Sequence, residues 1–145
     1  MCVSHTYVEG MGTKKLRLQI ENWDEQPYQE FPDGSKVTKA DVALARPEGE
    51  DEGLEGSLES LMCYRPDGTS TLVSQMVLSG TLDGRTGVFV LQGAGTYDGT
   101  QASLRLDIVA GSGTGDLAGV SGSAESVSTH DDYPYMPLTL TYDLE

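Results

Sequence analysis

The chain has 145 residues, of which 23 are acidic and 9 basic, giving a net charge of −14. A single domain is expected at this length, large enough to hide roughly two-thirds of the surface its unfolded chain exposes, and the charge excludes phosphate backbones and anionic membrane surfaces as partners by Coulomb repulsion. Cys2 and Cys63 are too far apart to suggest a disulfide framework, residues 1–12 lack the charged-then-apolar order of a signal peptide, and no apolar run approaches the ~20 residues of a bilayer-spanning helix, so a cytoplasmic protein held at no membrane is expected.

Residues 1–14 read as a flexible tail and 15–145 as one β domain. Lys15 to Asn22 alternates, with Leu16, Leu18 and Ile20 on one face and Lys15, Arg17, Gln19 and Glu21 on the other, the pattern of a half-buried strand. The pair Asp33-Gly34 then marks a tight hairpin turn, and the same dipeptide recurs at Asp67-Gly68, Asp83-Gly84 and Asp98-Gly99. Val37 to Ala45 places Ala40, Val42 and Leu44 together. After Arg46-Pro47 comes an acidic loop, Glu48, Glu50, Asp51 and Glu52, without the spaced oxygen ligands and fixed glycine of a calcium loop. Leu54 to Tyr64 carries Leu54, Leu58, Met62 and Tyr64 on one face, with Glu59, Leu61 and Cys63 on the other.

Thr71 to Ser79 and Val88 to Gln92 differ, because adjacent positions are apolar: Leu72 beside Val73, Met76 beside Val77, and the run Val88-Phe89-Val90-Leu91. Both faces of these strands are expected to be covered. With no helical period anywhere to supply a cover, a second subunit is the economical one, and a homodimer is expected. Ser103 to Ala110, Val120 to Ser128 and Pro137 to Leu144 complete about eight strands. A Leu-x-Gly step recurs at Leu54, Leu82 and Leu117, at glycines that read either as bends closing a barrel or as ordinary turn glycines. Eight antiparallel strands closed into a barrel leave an interior just wide enough for side chains or one small ligand.

No catalytic motif stands out. Gly113 to Ala118 satisfies G-x-G-x-x-A, a variant of the dinucleotide fingerprint, but glycines and strand-spaced residues follow it where a phosphate-binding helix would have to begin. His5 in the tail and His130 beside Asp131 and Asp132 in a polar loop read as solvated surface, not as metal ligands. What remains is a set of polar or aromatic residues interrupting apolar faces: Gln75 between Val73 and Val77, Gln92 after Val88 and Val90, Tyr142 among Leu138, Leu140 and Leu144, and Cys63 with Glu59. A largely apolar pocket with a few placed polar groups has this pattern. So does a barrel whose glutamines merely satisfy one another.

The stretch Leu78 to Gln92, then Leu104 to Val109 and Gly111 to Gly122, resembles an uncharacterised bacterial family of small allene-oxide-cyclase-like (calycin-like) barrels. Trp23-Asp-Glu-Gln-Pro-Tyr28 is similar to that family's opening motif, and Tyr142-Asp-Leu-Glu145 to its last strand. The resemblance implies a closed antiparallel barrel of about eight strands with a central cavity and, by kinship with cyclases that hold a flexible apolar substrate in a ring-closing conformation, isomerase or cyclase chemistry of a natural-product kind. Such templating requires no metal or cofactor. It implies a hydrophobic or amphipathic small molecule as partner; the alternatives are a binding barrel without catalysis and a structural protein with a filled interior. Members tend to carry a histidine where this chain has Gly93, so a histidine-based site is not expected. Pocket-lining residues are expected to be Trp23, Tyr64, Gln75, Gln92 and Tyr142, with Glu59 and Cys63 in polar contact. The segment from Thr129 to Pro137 reads as a lid over one mouth or a proline-stiffened connection.

Overall fold

A computed structural model describes residues 12–47, 49 and 53–144. Most of the expected tail, with Cys2 and His5, and the acidic run Glu48, Glu50, Asp51 and Glu52 lie outside the described residues. Eight strands follow in order: β1 (Gly12–Glu30), β2 (Lys36–Ala45), β3 (Leu54–Tyr64), β4 (Ser70–Leu82), β5 (Arg85–Tyr97), β6 (Gln101–Ile108), β7 (Ser121–Thr129) and β8 (Tyr135–Asp143). Each pairs antiparallel with the next, and β1 pairs with β8, so the sheet closes into a barrel.

All four Asp-Gly pairs sit between consecutive strands, as their chemistry requires. At Asp33, Asp67 and Asp98 the carboxylate accepts the backbone N–H two residues on, each at 2.9 Å, which fixes the turn without help from the core. Asp83 and Gly84 instead have φ of 52° and 80°, the paired left-handed conformation of a two-residue hairpin. The first three turns, with the β7–β8 connection, form one end of the barrel, and Asp83-Gly84 lies at the other.

Two strands are longer than their alternation suggests. The expected first strand ends at Asn22, yet β1 continues to Glu30, because its register against β2 shifts between Ile20 and Asn22. That bulge breaks the alternation and hands the inward phase from Leu16, Leu18 and Ile20 to Trp23 and Glu25, which lie opposite the buried Val42 and Ala40. β5 runs on through Gly93 and Gly95. At Gly93 a Cβ would fall 1.8 Å from the Arg105 carbonyl oxygen of β6, so this backbone admits no side chain there, histidine included.

The interior is filled at one end and open at the other. Leu54, Leu78, Leu82, Phe89, Leu91, Leu106, Leu138 and Leu140 are at most 2% exposed, each such burial contributing about 1.5–3 kcal/mol. The β6–β7 connection adds Leu117, on a single 3-10 turn at Gly115–Leu117, as a wholly buried plug. The fingerprint-like segment thus serves packing. Towards the other end the inward positions turn small: Ala40, Ser60, Ser70, Ser74, Gly93, Ala102 and Ser126.

On the outside, the chain meets part of the need for cover itself. The β6–β7 connection pairs with the free edge of β5, with Val109 N–H donating to the Val90 carbonyl and Thr114 N–H to that of Val88, both at 2.8 Å, and Val77, Val88 and Val90 are half-buried. Leu61 and Val73, neighbours in register on β3 and β4, stay 45% and 54% exposed. No helix among the described residues is long and apolar enough to cross a membrane.

Candidate functional site

The gradient from large to small inward side chains leaves a cavity of about 430 Å³ in the open half of the barrel. Its floor is apolar, from Ile20, Leu58, Met62, Leu72, Leu104 and Met136. A belt of hydroxyls, from Ser60, Ser70, Ser126 and Ser128, rings the middle, and the aromatic side chains of Trp23, Tyr64, Tyr97, Tyr133 and Tyr135, with His130, form the rim. Among the described residues lining it there is no lysine, arginine, aspartate or glutamate.

The belt is paired at one point. Ser60 and Ser74, opposite one another on β3 and β4, share a hydrogen bond of 2.7 Å between their hydroxyls, and no buried side-chain nitrogen or oxygen among the described residues is left without a partner.

Behind the rim, Glu25 gathers three donors. Tyr64 O–H donates to its Oε2 at 2.7 Å, Thr38 O–H to the same oxygen at 2.8 Å, and Trp23 Nε1–H to Oε1 at 3.0 Å. Burial works against the charge, but these bonds and nearby Lys36 prevail and hold the Glu25 carboxyl below the usual glutamate range. Tyr64 is pushed the other way, first by burial and then by its bond to Glu25 and the charge it carries. The pair is a neutral phenol on a carboxylate that already accepts three hydrogen bonds, and it orients Trp23 and Tyr64 in the wall.

Of the expected pocket residues, Trp23 and Tyr64 line the cavity. The others do not face it. Gln75 and Gln92 lie opposite each other on the outer surface of β4 and β5, with Gln92 Nε2–H donating to Gln75 Oε1 at 2.6 Å, so these glutamines satisfy one another. Glu59 and Cys63 are exposed on the outer face of β3. Periodicity tells which residues share a face but not which face turns inward; on β4 and β5 the bulkier Met76, Leu78, Phe89 and Leu91 take the interior and the glutamines are left outside. Tyr142 is inward but at the closed end, where its hydroxyl donates to Asp83 Oδ2 at 2.5 Å while Lys14 Nζ reaches Oδ1 at 2.8 Å. Burial, and then the Asp83 carboxylate, push its phenol up to about 12.

His130, expected as plain solvated surface, is exposed but also stands on the rim, its Nε2 3.1 Å from the Tyr97 hydroxyl and its ring edge-on to that of Tyr97 at 6.2 Å. The expected lid is a short connection. A 3-10 turn, His130–Asp132, is closed by Asp132 accepting the Thr129 N–H at 2.8 Å, and Tyr133 stands 67% exposed beside the mouth. Glu25 and Thr38 were missed. A Trp-x-Glu spacing after a bulge is the only trace they leave in the sequence.

Among the described residues no three histidine, cysteine, aspartate or glutamate side chains gather to hold a metal. No curated protein matches the chain. The crystal structure of a protein of unknown function from the DUF3224 family of Shewanella oneidensis MR-1 is similar in fold, with a TM-score of 0.65 at 20% identity over 92% of this chain and 99% of that one. Residues 15–142 match the family described as "Protein of unknown function (DUF3224)", and the chain belongs to that family.

Proposed function

We propose that the protein binds one small apolar or amphipathic molecule in the open half of its barrel. The observation that carries this reading is the cavity itself: apolar floor, hydroxyl belt and aromatic rim, in a fold whose other half is packed solid. A thermal-shift screen of purified protein against polyenes, long-chain alcohols and esters and polyketide-like compounds tests it. A ligand at a hundred times its Kd adds about 2.7 kcal/mol, or roughly 5–10 °C in a chain of this size. Absence of any shift, in protein freed of co-purified ligand, refutes the reading.

A second reading adds catalysis: cofactor-free isomerisation or ring closure of the bound molecule by templating. The resemblance to allene-oxide-cyclase-like barrels favours it. Chromatography of the ligand after incubation separates the two, since a carrier returns its ligand unchanged and an enzyme returns an isomer. A homodimer formed over Leu61 and Val73 is proposed alongside, on the strength of their adjacent exposure; sedimentation equilibrium showing a monomer at micromolar concentration would remove it.

A further inference from the structure

We infer that the cavity selects against anions, so that its occupant is a neutral or cationic apolar molecule and not a chain bearing a carboxylate, such as a fatty-acid anion. This rests on the reading that the cavity binds a ligand, and adds to it the ligand's charge class. A head group can lie inward or outward.

Turned inward, a carboxylate meets no cation. The wall holds hydroxyls, aromatic and apolar groups with the His130 imidazole at the rim, and among its described residues neither lysine nor arginine. Serine hydroxyls, of which Ser60 is already paired with Ser74, replace only part of the hydration that a buried charge loses.

Turned outward, the head group emerges among carboxylates. All four connections at the open end carry aspartate: Asp33, Asp67, Asp98, and the adjacent Asp131 and Asp132. Turn hydrogen bonds hold Asp33, Asp67 and Asp98 below the usual aspartate range, so their charge persists into mild acid. The cations around the mouth are already engaged: Arg17 stacks over the Tyr135 ring at 4.2 Å. Lys36 lies over the Tyr64 ring at 5.3 Å and faces Glu25, while Arg65 donates to the Thr69 hydroxyl at 3.1 Å beside Asp67. A cationic head at the same place would meet aromatic faces and a negative field, which favours it.

Trp23 is the sole tryptophan and stands on the rim, so its fluorescence reads occupancy directly. The cavity has room for about fourteen water-sized groups, enough for a ten-carbon chain. The full chain is titrated at neutral pH and low ionic strength, where the Debye length exceeds about 10 Å, with 1-decanol, decylamine and decanoate, each kept below its micelle concentration. The expected order is decylamine at least as tight as decanol, and both at least about tenfold tighter than decanoate. Decanoate binding as tightly as decanol overturns the charge selection and leaves the binding reading standing. No response to any of the three overturns the binding reading, and the charge selection with it.

Discussion

Replacing Glu25 with glutamine tests whether the wall of the cavity is organised as described. The carboxylate accepts from Tyr64, Thr38 and Trp23. In Glu25→Gln the amide oxygen can keep Tyr64 and Thr38, but the amide nitrogen then confronts the Trp23 N–H, donor against donor. One charge-assisted bond is lost and two become neutral. At about 1.5–3 kcal/mol for a charge-assisted bond and 0.5–1.5 for a neutral one, discounted because Glu25 is half-exposed, the net cost is about 1–2 kcal/mol. That corresponds to a fall in Tm of about 3–6 °C, measured by calorimetry, with Trp23 emission shifting because its indole loses its acceptor. The sign of the pH dependence follows from the lowered folded-state value. The stabilisation is fully present above the unfolded glutamate pKa of about 4.3 and is lost as the pH falls through the lower folded value, so the gap between parent and variant closes below about pH 4. Equal stability of the two proteins at pH 7, with unchanged tryptophan emission, would refute the network.

Ala102 lines the cavity, so Ala102→Phe should fill open space without the usual overpacking penalty of about 1–3 kcal/mol; it should abolish ligand-induced thermal shifts while leaving the unliganded Tm within a few degrees, and a retained shift counts against the cavity as the site. Tyr142→Phe removes the bond to Asp83 at the closed end and should cost about 1 kcal/mol in urea unfolding with ligand affinity unchanged; a large loss of affinity would relocate the site. Leu117→Ala hollows the plug at the closed end and should cost about 2–5 kcal/mol in the same assay, a cost under 1 kcal/mol contradicting its role. The double variant Gln75→Leu, Gln92→Leu lies on the outer surface and should bind ligand as the parent does, within a factor of about two.

What could be read from the sequence was whatever depends on local chemistry. The Asp-Gly turns fix their own geometry through a side chain two residues from its partner, so hairpin order, strand number and the closed antiparallel barrel were legible. The face of β2 was legible because Ala40, Val42 and Leu44 alternate with Lys39 and Asp41, whereas on β3 Leu61 and Cys63 give the outer side apolar residues too, and Glu59 and Cys63 lie outside. Inside and outside on β4 and β5 were not, because both sides carry large apolar residues and the choice depends on what the rest of the barrel has to fill. Trp23 and Tyr64 were legible as aromatic breaks in the pattern, whereas Glu25 was hidden by a bulge at Glu21 that no local signal announces. The cavity itself is a difference between two halves of eight strands, small residues in register at one end and large ones at the other, and it becomes visible only when the registers are known.

The most direct measurement is a ¹H–¹⁵N correlation spectrum of the labelled protein titrated with 1-decanol. The account predicts progressive shifts at Leu58, Ser60, Leu104, Ser126 and Met136 around the cavity and at the Trp23 indole. Phe89 and Leu117 at the closed end, and Gln75 and Gln92 outside, should stay still. Shifts confined to the outer face of β3 to β5, or none at saturation, would contradict it.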